Sequence, residues 1–150
     1  MPSAQIDTFV GILSVTETDG AITSLRWGPQ EQSRTALLDR AIDQLRAYFA
    51  RELHRFDLPL HIAGSAFQQA VCAAMQAIPM GQTRTYGDIS KELNIPPQPV
   101  GNACGANPIP VIIPCHRVLA AEGLGGFSGG TGIETKIALL KHEGAASLLI

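Results

Sequence analysis

The sequence predicts an α/β (α+β) protein with two lobes: a small N-terminal lobe of a β-hairpin and a helix, then a mostly helical C-terminal lobe with a helix-turn-helix. Three observations predict this class. Strand-type residues are concentrated near the start, an amphipathic helical period follows, and after Ser65 short helical segments are separated by proline and glycine. The chain has 150 residues, enough for two small lobes around a shared core. We place these lobes at residues 1–62 and 63–150.

The first predicted element is a β-hairpin. The stretch FVGILSVTETDGAITSLRWG contains two runs rich in β-branched and aromatic residues, separated by Thr18, Asp19 and Gly20. Such a separation is typical of a tight turn between two antiparallel strands.

An amphipathic helix is predicted next. Its apolar residues recur at spacings of three and four, with charged residues between them: Leu37, Leu38, Ala41, Ile42, Leu45, Tyr48 and Phe49. We expect about four helical turns capped by Ser33. The following segment, DLPLHIAGS, contains proline and glycine, so we expect it to run extended and to join the two lobes.

The C-terminal lobe is predicted to begin with a helix capped by Ser65. One face of this helix is apolar: Phe67, Val71, Ala74 and Ile78. Cys72 lies on an apolar face of the same helix and is expected in the core.

A pair of short helices should follow. Thr85 can cap a helix that buries Ile89 and Leu93, the segment IPPQP breaks it, and VGNACGAN can form a second short helix. Two short helices separated by a tight turn indicate a helix-turn-helix. The glycine-rich loop AEGLGGFSGG then leads to a last helix, ETKIALLKHEG, which ends at Gly144.

Composition argues against several classes of protein. No apolar run reaches the roughly 18 residues of a membrane span, and the start MPSAQIDTFVG does not resemble a signal peptide, so we expect a cytoplasmic protein. Cys72, Cys104 and Cys115 are odd in number and widely spaced, which argues against a disulfide framework, and the absence of CxxC and HxxxH pairs argues against a metal site. The formal net charge of −2 is a weak electrostatic basis for nucleic-acid binding.

The stretch VIIPCHRV, residues 111–118, carries the main chemical signal. We predict a strand anchored by Ile112 and Ile113 that turns at Pro114. A cysteine attacks as its thiolate and therefore needs a basic or cationic neighbour. His116 adjoins Cys115 and could reach its sulfur through a bridging water or after a turn in the backbone.

A third group usually fixes the tautomer of a histidine that acts as a base, and Glu143 is a candidate for that role. Asn107 upstream and the glycines downstream would enclose the thiol with polar groups and a loop. The alternative interpretation is that Cys115 is a small buried hydrophobic residue and that His116 and Arg117 are a surface pair.

Taken together, these segments closely resemble the methylated-DNA–protein-cysteine methyltransferases, or alkylguanine-DNA alkyltransferases. NPIPVIIPCHRV is preceded by FQQAV, IPMGQTRTYGDIS and VGNA and followed by GGFSGG and LLKHEG, in the order of that family. The resemblance implies DNA repair by a suicide reaction, in which an alkyl group passes from guanine O6 to the protein's own cysteine. It implies a reaction without a cofactor, with DNA containing O6-alkylguanine as the partner. We expect a monomer, which would be nucleoid-associated in a bacterium.

The resemblance also assigns roles to individual residues. Cys115 is implied as the alkyl acceptor, His116 as the base acting through a water, and Glu143 as the group that orients the histidine. Asn107 is implied to hold the turn, and Tyr86 to stabilise the departing guanine. Arg117 is expected to be structural, bonding carbonyls or a carboxylate.

Substrate contacts are implied for the residues after the cysteine. The backbone of Val118 would read the exocyclic amine of guanine, and Ser128 would contact O6 from the loop that includes Gly126 and Phe127. The damaged base must leave the duplex to reach the thiol, and the second helix of the helix-turn-helix is implied to enter the minor groove.

This helix departs from the family pattern. Where the family has RAVG, this chain reads Gln98, Pro99, Val100 and Gly101, so the residue that would fill the space left by the base is a neutral glutamine. The DNA-binding face is predicted to consist of the following residues: Gln98, Val100, Gly101, Asn102, Ala103 and Cys104. Of these, Cys104 is expected to be a packing residue rather than a second acceptor. VGNACGAN has no lysine or arginine, and Gly105 stands where a basic residue would help to hold a DNA phosphate. We therefore expect weaker and less salt-sensitive binding to duplex DNA.

Two further functions fit the sequence less closely. An alkyltransferase-like sensor would bind the lesion without transfer, but such proteins lack the motif cysteine that is present here as Cys115. A thiol hydrolase that turns over would also use Cys115 and His116, although no oxyanion hole is recognisable in the sequence.

Overall fold

The chain begins with a three-stranded antiparallel sheet. The structure, a computed structural model, describes residues 1–145, so the last five residues of the predicted C-terminal lobe, 146–150, lie outside it. The strands run in the order β1-β2-β3 and have these bounds: β1 (Ser3–Thr8), β2 (Gly11–Thr18) and β3 (Ala21–Trp27). β2 and β3 confirm the hairpin, and Asp19 and Gly20 in its turn both have positive φ. The sequence does not predict β1, which pairs along its whole length with β2, from Ser3 opposite Thr16 to Thr8 opposite Gly11.

Helix α1 (Ala36–Phe49) covers one face of this sheet by packing against β1 and β2. Five of the apolar residues that predicted it are buried: Leu38, Ala41, Ile42, Leu45 and Tyr48. The predicted cap at Ser33 is wrong. Thr35 is the N-cap, and its hydroxyl accepts a hydrogen bond from the Leu38 amide at 3.1 Å.

The segment after α1 is extended, as predicted, and adds a short pairing to the free edge of β3. The amide of Ile22 donates to the carbonyl of Pro59 at 2.8 Å, and the amide of His61 donates to the carbonyl of Ile22 at 2.9 Å. Leu60 lies opposite Ile22 in a parallel bridge. The connection between the lobes is therefore hydrogen-bonded to the sheet.

Up to residue 145, four helices follow: α2 (Ala66–Gln76), α3 (Tyr86–Leu93), α4 (Pro97–Gly105) and α5 (Ile133–His142). The predicted caps are present at α2, where Ser65 accepts from Gln68, and at α3, where Thr85 and Asp88 form a capping box. The expectation that IPPQP precedes the next helix is wrong, because α4 starts at Pro97. A proline lacks the amide proton that the first helical turn leaves unused, so it can begin a helix.

A short parallel pairing that the sequence did not reveal connects two distant segments. β4 (Arg84–Thr85) lies beside β5 (Val118–Leu119), with Arg84 opposite Val118. This pairing places the start of α3 next to the chain that follows the cysteine motif. Tyr86 is thereby carried to the same region as Cys115.

One buried cluster of apolar side chains extends through both lobes, from Ala4 in β1 to Leu139 in α5. The lobes also share backbone bonds, such as the one from the Leu25 amide to the Pro108 carbonyl at 3.0 Å. The boundary between residues 62 and 63 stays a prediction. Within residues 1–145, no helix is both long and apolar enough to cross a membrane.

Candidate active site

The cysteine motif forms a compact loop rather than the predicted strand. Val111 has a φ of 71°, which no extended strand allows for a β-branched residue, and the Ile113 amide turns back to the Ile109 carbonyl at 2.8 Å. Asn107 stabilises this path, because its side-chain amide donates to the Ile113 carbonyl at 2.8 Å while its oxygen accepts from the Ile109 amide at 3.0 Å. The predicted strand through Ile112 and Ile113 is therefore wrong.

After the loop, Cys115–Arg117 form a single 3₁₀ turn whose N-cap is Pro114. The thiol of Cys115 is partly buried, and its neighbours in the turn, His116 and Arg117, are buried. Burial raises the pKa of the Cys115 thiol and outweighs the lowering effects of Asn107 and of the Lys136 ammonium. The resting sulfur is therefore protonated near neutral pH, and its reaction requires a base.

His116 has one ring nitrogen that is hydrogen-bonded and one that is not. Its Nε2 lies 2.7 Å from Oε2 of Glu143, and both side chains are fully buried. Among the residues that the structure describes, no group bonds to the buried Nδ1 of His116. A carboxylate on Nε2 favours the tautomer with the proton there, which leaves the Nδ1 lone pair available. Burial lowers the pKa of His116 more than Glu143 raises it, so the ring is neutral at pH 7.

Arg117 forms an ion pair with Glu143 and is structural, as expected. Its Nε donates to Glu143 Oε1 at 2.8 Å and its Nη2 to Oε2 at 3.0 Å, while Nη1 donates to the carbonyl of Ile78 at 2.6 Å. The alternative that His116 and Arg117 form a surface pair is wrong, since they are 0% and 6% exposed. This bidentate geometry fixes both carboxylate oxygens.

Glu143 follows directly after α5 and is also bound by a residue from the N-terminal lobe. The hydroxyl of Tyr48 on α1 donates to Oε2 of Glu143 at 2.5 Å. Burial alone would raise the pKa of the Glu143 carboxyl, but the hydrogen bonds from His116 and Arg117 and the charge of Arg117 lower it to about 2. The sequence indicated Tyr48 only as an apolar face residue, because its partner lies 95 positions away.

Lys136 is a second site residue that the sequence did not reveal. It lies on α5 and is 0% exposed. Its Nζ donates to three carbonyls of the segment after the motif: Val118 at 2.7 Å, Leu124 at 2.5 Å and Gly126 at 3.1 Å. Burial lowers the pKa of this amine to about 8. The only available signal was its position in the helical pattern, in register with Leu139 and Leu140.

Tyr86 and the glycine-rich loop lie against each other. An added Cβ at Gly125, whose φ is +73°, would stand 3.0 Å from Cε2 and 3.2 Å from the hydroxyl oxygen of Tyr86. No residue larger than glycine fits this position without displacing the ring. Burial, followed by the nearby thiols of Cys104 and Cys115, raises the pKa of Tyr86. Its hydroxyl is thus a neutral donor at the same site as the thiol.

The loop residues predicted to contact substrate are held from several sides. Val118 is buried in β5, and Lys136 binds its carbonyl. Phe127 packs edge-on against Trp27 of β3, with ring centroids 6.0 Å apart. Ser128 is exposed, and its hydroxyl lies 3.4 Å from the carbonyl of Gly105, at the end of α4. This contact joins the loop to the predicted DNA-binding helix.

The six predicted DNA-binding residues on α4 divide into two faces. Gln98 and Asn102 are exposed and Gly101 is half-buried, whereas three others are buried: Val100, Ala103 and Cys104. The side chains of that second group pack into the core. The prediction that these three side chains contact DNA is therefore corrected. Cys104 is a packing residue, as expected for it, and burial raises the pKa of its thiol to about 12.

The structure therefore brings the five predicted catalytic residues together: Cys115, His116, Glu143, Asn107 and Tyr86. Within residues 1–145, no group of three or more His, Cys, Asp or Glu side chains could hold a metal ion. A protonated thiol beside a neutral histidine with a free ring nitrogen can attack an electrophilic carbon once the proton is transferred.

Comparisons with known proteins agree with this chemistry. Residues 66–145 match the family model described as 6-O-methylguanine DNA methyltransferase, DNA binding domain. A methylated-DNA–protein-cysteine methyltransferase of Mycolicibacterium paratuberculosis is 41% identical, with 97% of this chain and 95% of that protein covered. One of Mycobacterium bovis is 44% identical over 92% and 89% of the two chains.

Solved structures of similar proteins have the same fold as this chain. The crystal structure of the Mycobacterium tuberculosis OGT in complex with DNA has a TM-score of 0.87 and 39% identity, covering 97% of this chain and 94% of that one. The structure of the O6-methylguanine methyltransferase from the same organism has a TM-score of 0.83 and 38% identity, over 97% and 93% of the chains. The predicted α/β class is confirmed.

Proposed function

This chain belongs to the methylated-DNA–protein-cysteine methyltransferase family, and we propose that it repairs DNA by moving an alkyl group from guanine O6 to Cys115. It is an enzyme of the methylated-DNA–[protein]-cysteine S-methyltransferase type. We propose a single turnover, in which the alkylated protein is the end product. We also propose that it acts as a monomer in the cytoplasm.

One observation carries the proposal. His116 adjoins Cys115, is held by Glu143 at 2.7 Å through Nε2, and keeps a buried Nδ1 that no described residue binds. A base nitrogen held in this way matches a thiol whose pKa is raised by burial, because such a thiol must lose its proton in order to react.

The proposed reaction forms one bond and breaks one bond. The sulfur of Cys115 attacks the alkyl carbon, a carbon–sulfur bond forms, and the bond between that carbon and guanine O6 breaks with its electron pair moving onto the guanine. The thiol proton passes to Nδ1 of His116 through a bridging water. Glu143 stabilises the resulting imidazolium, and Arg117 keeps the carboxylate in place.

The leaving guanine needs a proton. We propose that the hydroxyl of Tyr86 supplies it, and that the proton on His116 then returns to the tyrosinate through solvent, so that charge balances. Burial keeps Tyr86 neutral and able to donate. Ser128 contacts O6 in this proposal, and the backbone of Val118 reads the exocyclic amine. Lys136 keeps this segment in shape by binding the carbonyls of Val118, Leu124 and Gly126.

We propose that α3 and α4 act as a helix-turn-helix, with α4 entering the minor groove while the damaged base rotates out of the stack. Gln98, exposed in the first turn of α4, would fill the vacated space. It adds no charge, and the exposed Asn102 and Gly105 add none either. The proposal therefore includes duplex binding that is weaker and less salt-sensitive than an arginine at position 98 would provide.

Mass spectrometry tests the function directly. The protein is incubated with an oligonucleotide containing O6-methylguanine, and the peptide containing Cys115 should gain the mass of one methyl group, in proportion to the guanine released. Cys115→Ser is the control and should remain unmodified while folded. An unmodified Cys115 peptide in the folded natural protein would refute the proposal.

The alternative function, a lesion sensor without transfer, predicts a different outcome of the same experiment. A sensor would bind the methylated oligonucleotide and leave its methyl group in place after many hours. Stoichiometric loss of methyl from the DNA excludes it.

A further inference from the structure

Tyr48 belongs to the N-terminal lobe but bonds directly to the proposed catalytic network. Its ring is 1% exposed, and its hydroxyl donates to Oε2 of Glu143 at 2.5 Å. The same oxygen lies 2.7 Å from Nε2 of His116. We propose that Tyr48 is a positioning residue for alkyl transfer, which limits the negative charge that Glu143 presents to His116. This inference rests on the proposed function, because it concerns the same base.

The carboxylate of Glu143 accepts four hydrogen bonds, two of them from Arg117. Oε1 is bound by Nε of Arg117 at 2.8 Å, and Oε2 is bound by Nη2 of Arg117 at 3.0 Å, by His116 and by Tyr48. The donors on Oε2 compete for the same lone pairs. Because the Glu143 side chain is 0% exposed, water does not readily replace a donor that is removed.

The Tyr48 hydroxyl stays neutral and therefore keeps the proton that it donates to Glu143. Burial, with the adjacent Glu143 charge, raises the pKa of Tyr48 far above its ordinary value. The charged or titratable groups beside the His116–Glu143 pair include Arg117 and Cys115 from the motif and Lys136 from α5. Tyr48 and Glu143 also line a pocket with four further residues of this kind: Arg51, His54, Lys141 and His142. On the outer side of the Tyr48 ring lies His142, with ring centroids 5.2 Å apart.

Packing in the N-terminal lobe fixes where this hydroxyl points. Phe49 meets the Tyr48 ring edge-on at a centroid distance of 4.9 Å, and Phe56 lies against it at 5.5 Å. The backbone carbonyl of Tyr48 is also bonded to Nε2 of His142, at 2.8 Å. Helix α1 thus holds a rigid donor against Glu143, the carboxylate that binds the proposed base His116.

Tyr48→Phe removes the hydroxyl and keeps the ring. Oε2 of Glu143 then has one donor fewer, presents more negative charge to His116, and raises the pKa of the imidazole. Because transfer needs the neutral ring, the midpoint of the rate against pH should move upward by about half a unit to one unit. Below the midpoint the rate should fall about three- to tenfold, whereas the plateau rate at higher pH should change by less than about twofold.

The rate is measured with free O6-benzylguanine as the probe, so that DNA binding does not contribute. Phe49→Leu is the matched control, since it disturbs the same aromatic packing but keeps the hydroxyl; it should lower stability without moving the midpoint. No shift in Tyr48→Phe, or an equal shift in Phe49→Leu, would overturn the inference.

A second variant covers the case in which Tyr48→Phe does not fold. Site-specific 3-fluorotyrosine at position 48 is a slightly stronger donor of the same shape, so the midpoint should move to lower pH, and an unchanged midpoint counts against the inference. A ¹⁵N NMR titration of His116 in each variant should give the same direction of shift. If the natural protein fails to alkylate Cys115, the proposed function is wrong, while the titration still decides whether Tyr48 controls His116.

Discussion

The buried network around Glu143 and the exposed face of α4 are built in opposite ways. Glu143 is bound by four donors from Tyr48, His116 and Arg117, and burial prevents water from substituting for them. The exposed face of α4 presents Gln98 and Asn102, without charge. The first region ties the chemistry to the stability of the fold. The second can change its residues at little cost in stability, so under the proposed function the affinity for DNA can vary while the reaction stays the same.

The largest expected effect follows from removing the charge at the centre of the network. Glu143→Gln leaves the buried guanidinium of Arg117 without its partner and should lower the free energy of unfolding by about 3–5 kcal/mol. Urea denaturation measures this loss. Asp39→Asn, which breaks an exposed ion pair with Arg34, is the control and should cost less than about 1 kcal/mol. Similar losses of unfolding free energy in Glu143→Gln and Asp39→Asn would contradict the view that the buried network contributes more stability than an exposed ion pair.

The same carboxylate predicts a dependence of stability on pH. Its pKa in the folded protein, about 2, lies below the ordinary value of 4.5. The stability that Glu143 contributes is therefore fully present above pH 4.5 and is lost as the pH falls toward 2. In Glu143→Gln the decline of the unfolding free energy across this range should be shallower. Parallel curves for the two proteins would show that other groups dominate acid unfolding.

Lys136→Met tests the second buried charge, which holds the segment after the cysteine motif rather than His116. The variant keeps an apolar side chain of similar length but removes the donor to the carbonyls of Val118, Leu124 and Gly126. We expect a loss of about 2–4 kcal/mol in unfolding free energy. The Cys115 thiol should also react more slowly with iodoacetamide, because the Lys136 ammonium lowers its pKa.

The control for this change lies on the same helix. Lys141→Met replaces an exposed lysine of α5 and should leave both stability and thiol reactivity almost unchanged. If the two lysine variants behave alike, the loop does not depend on the buried ammonium.

The smallest effects on stability, and the most selective effects on function, are expected on α4. Gln98→Arg should speed reaction with a duplex substrate several-fold, raise the salt slope of binding by about one, and leave the reaction with free O6-benzylguanine unchanged. Gly105→Lys is the matched variant, because a Cβ added there meets no atom within 4 Å. It should raise the salt slope without the same gain in rate. A faster reaction with free O6-benzylguanine in either variant would show that the effect does not arise from DNA binding.

Local signals were sufficient for most helices and for the hairpin. Ser65 and Thr85 cap the predicted helices because a hydroxyl that satisfies a free amide acts within one helical turn. Two hydroxyl residues, Ser33 and Thr35, precede α1, and the pattern alone predicts the wrong one as its cap, because only the course of the chain decides between them. The first strand was missed because its pairing with β2, rather than its short sequence, makes it a strand.

By itself, the sequence determined the order of the elements and the chemical types at the site: a cysteine and a histidine side by side, an asparagine before them, and a carboxylate near the end. Only the tertiary structure decided how they meet. The run through Ile112 and Ile113 contains strand-type residues, yet Asn107 and the positive φ of Val111 make it a loop. In the sequence, Tyr48 and Lys136 look like ordinary helix residues. In the folded chain Tyr48 binds Glu143, and Lys136 binds the carbonyls of the loop. Local propensity depends on near neighbours, whereas a buried polar group must find its partner wherever the fold provides one.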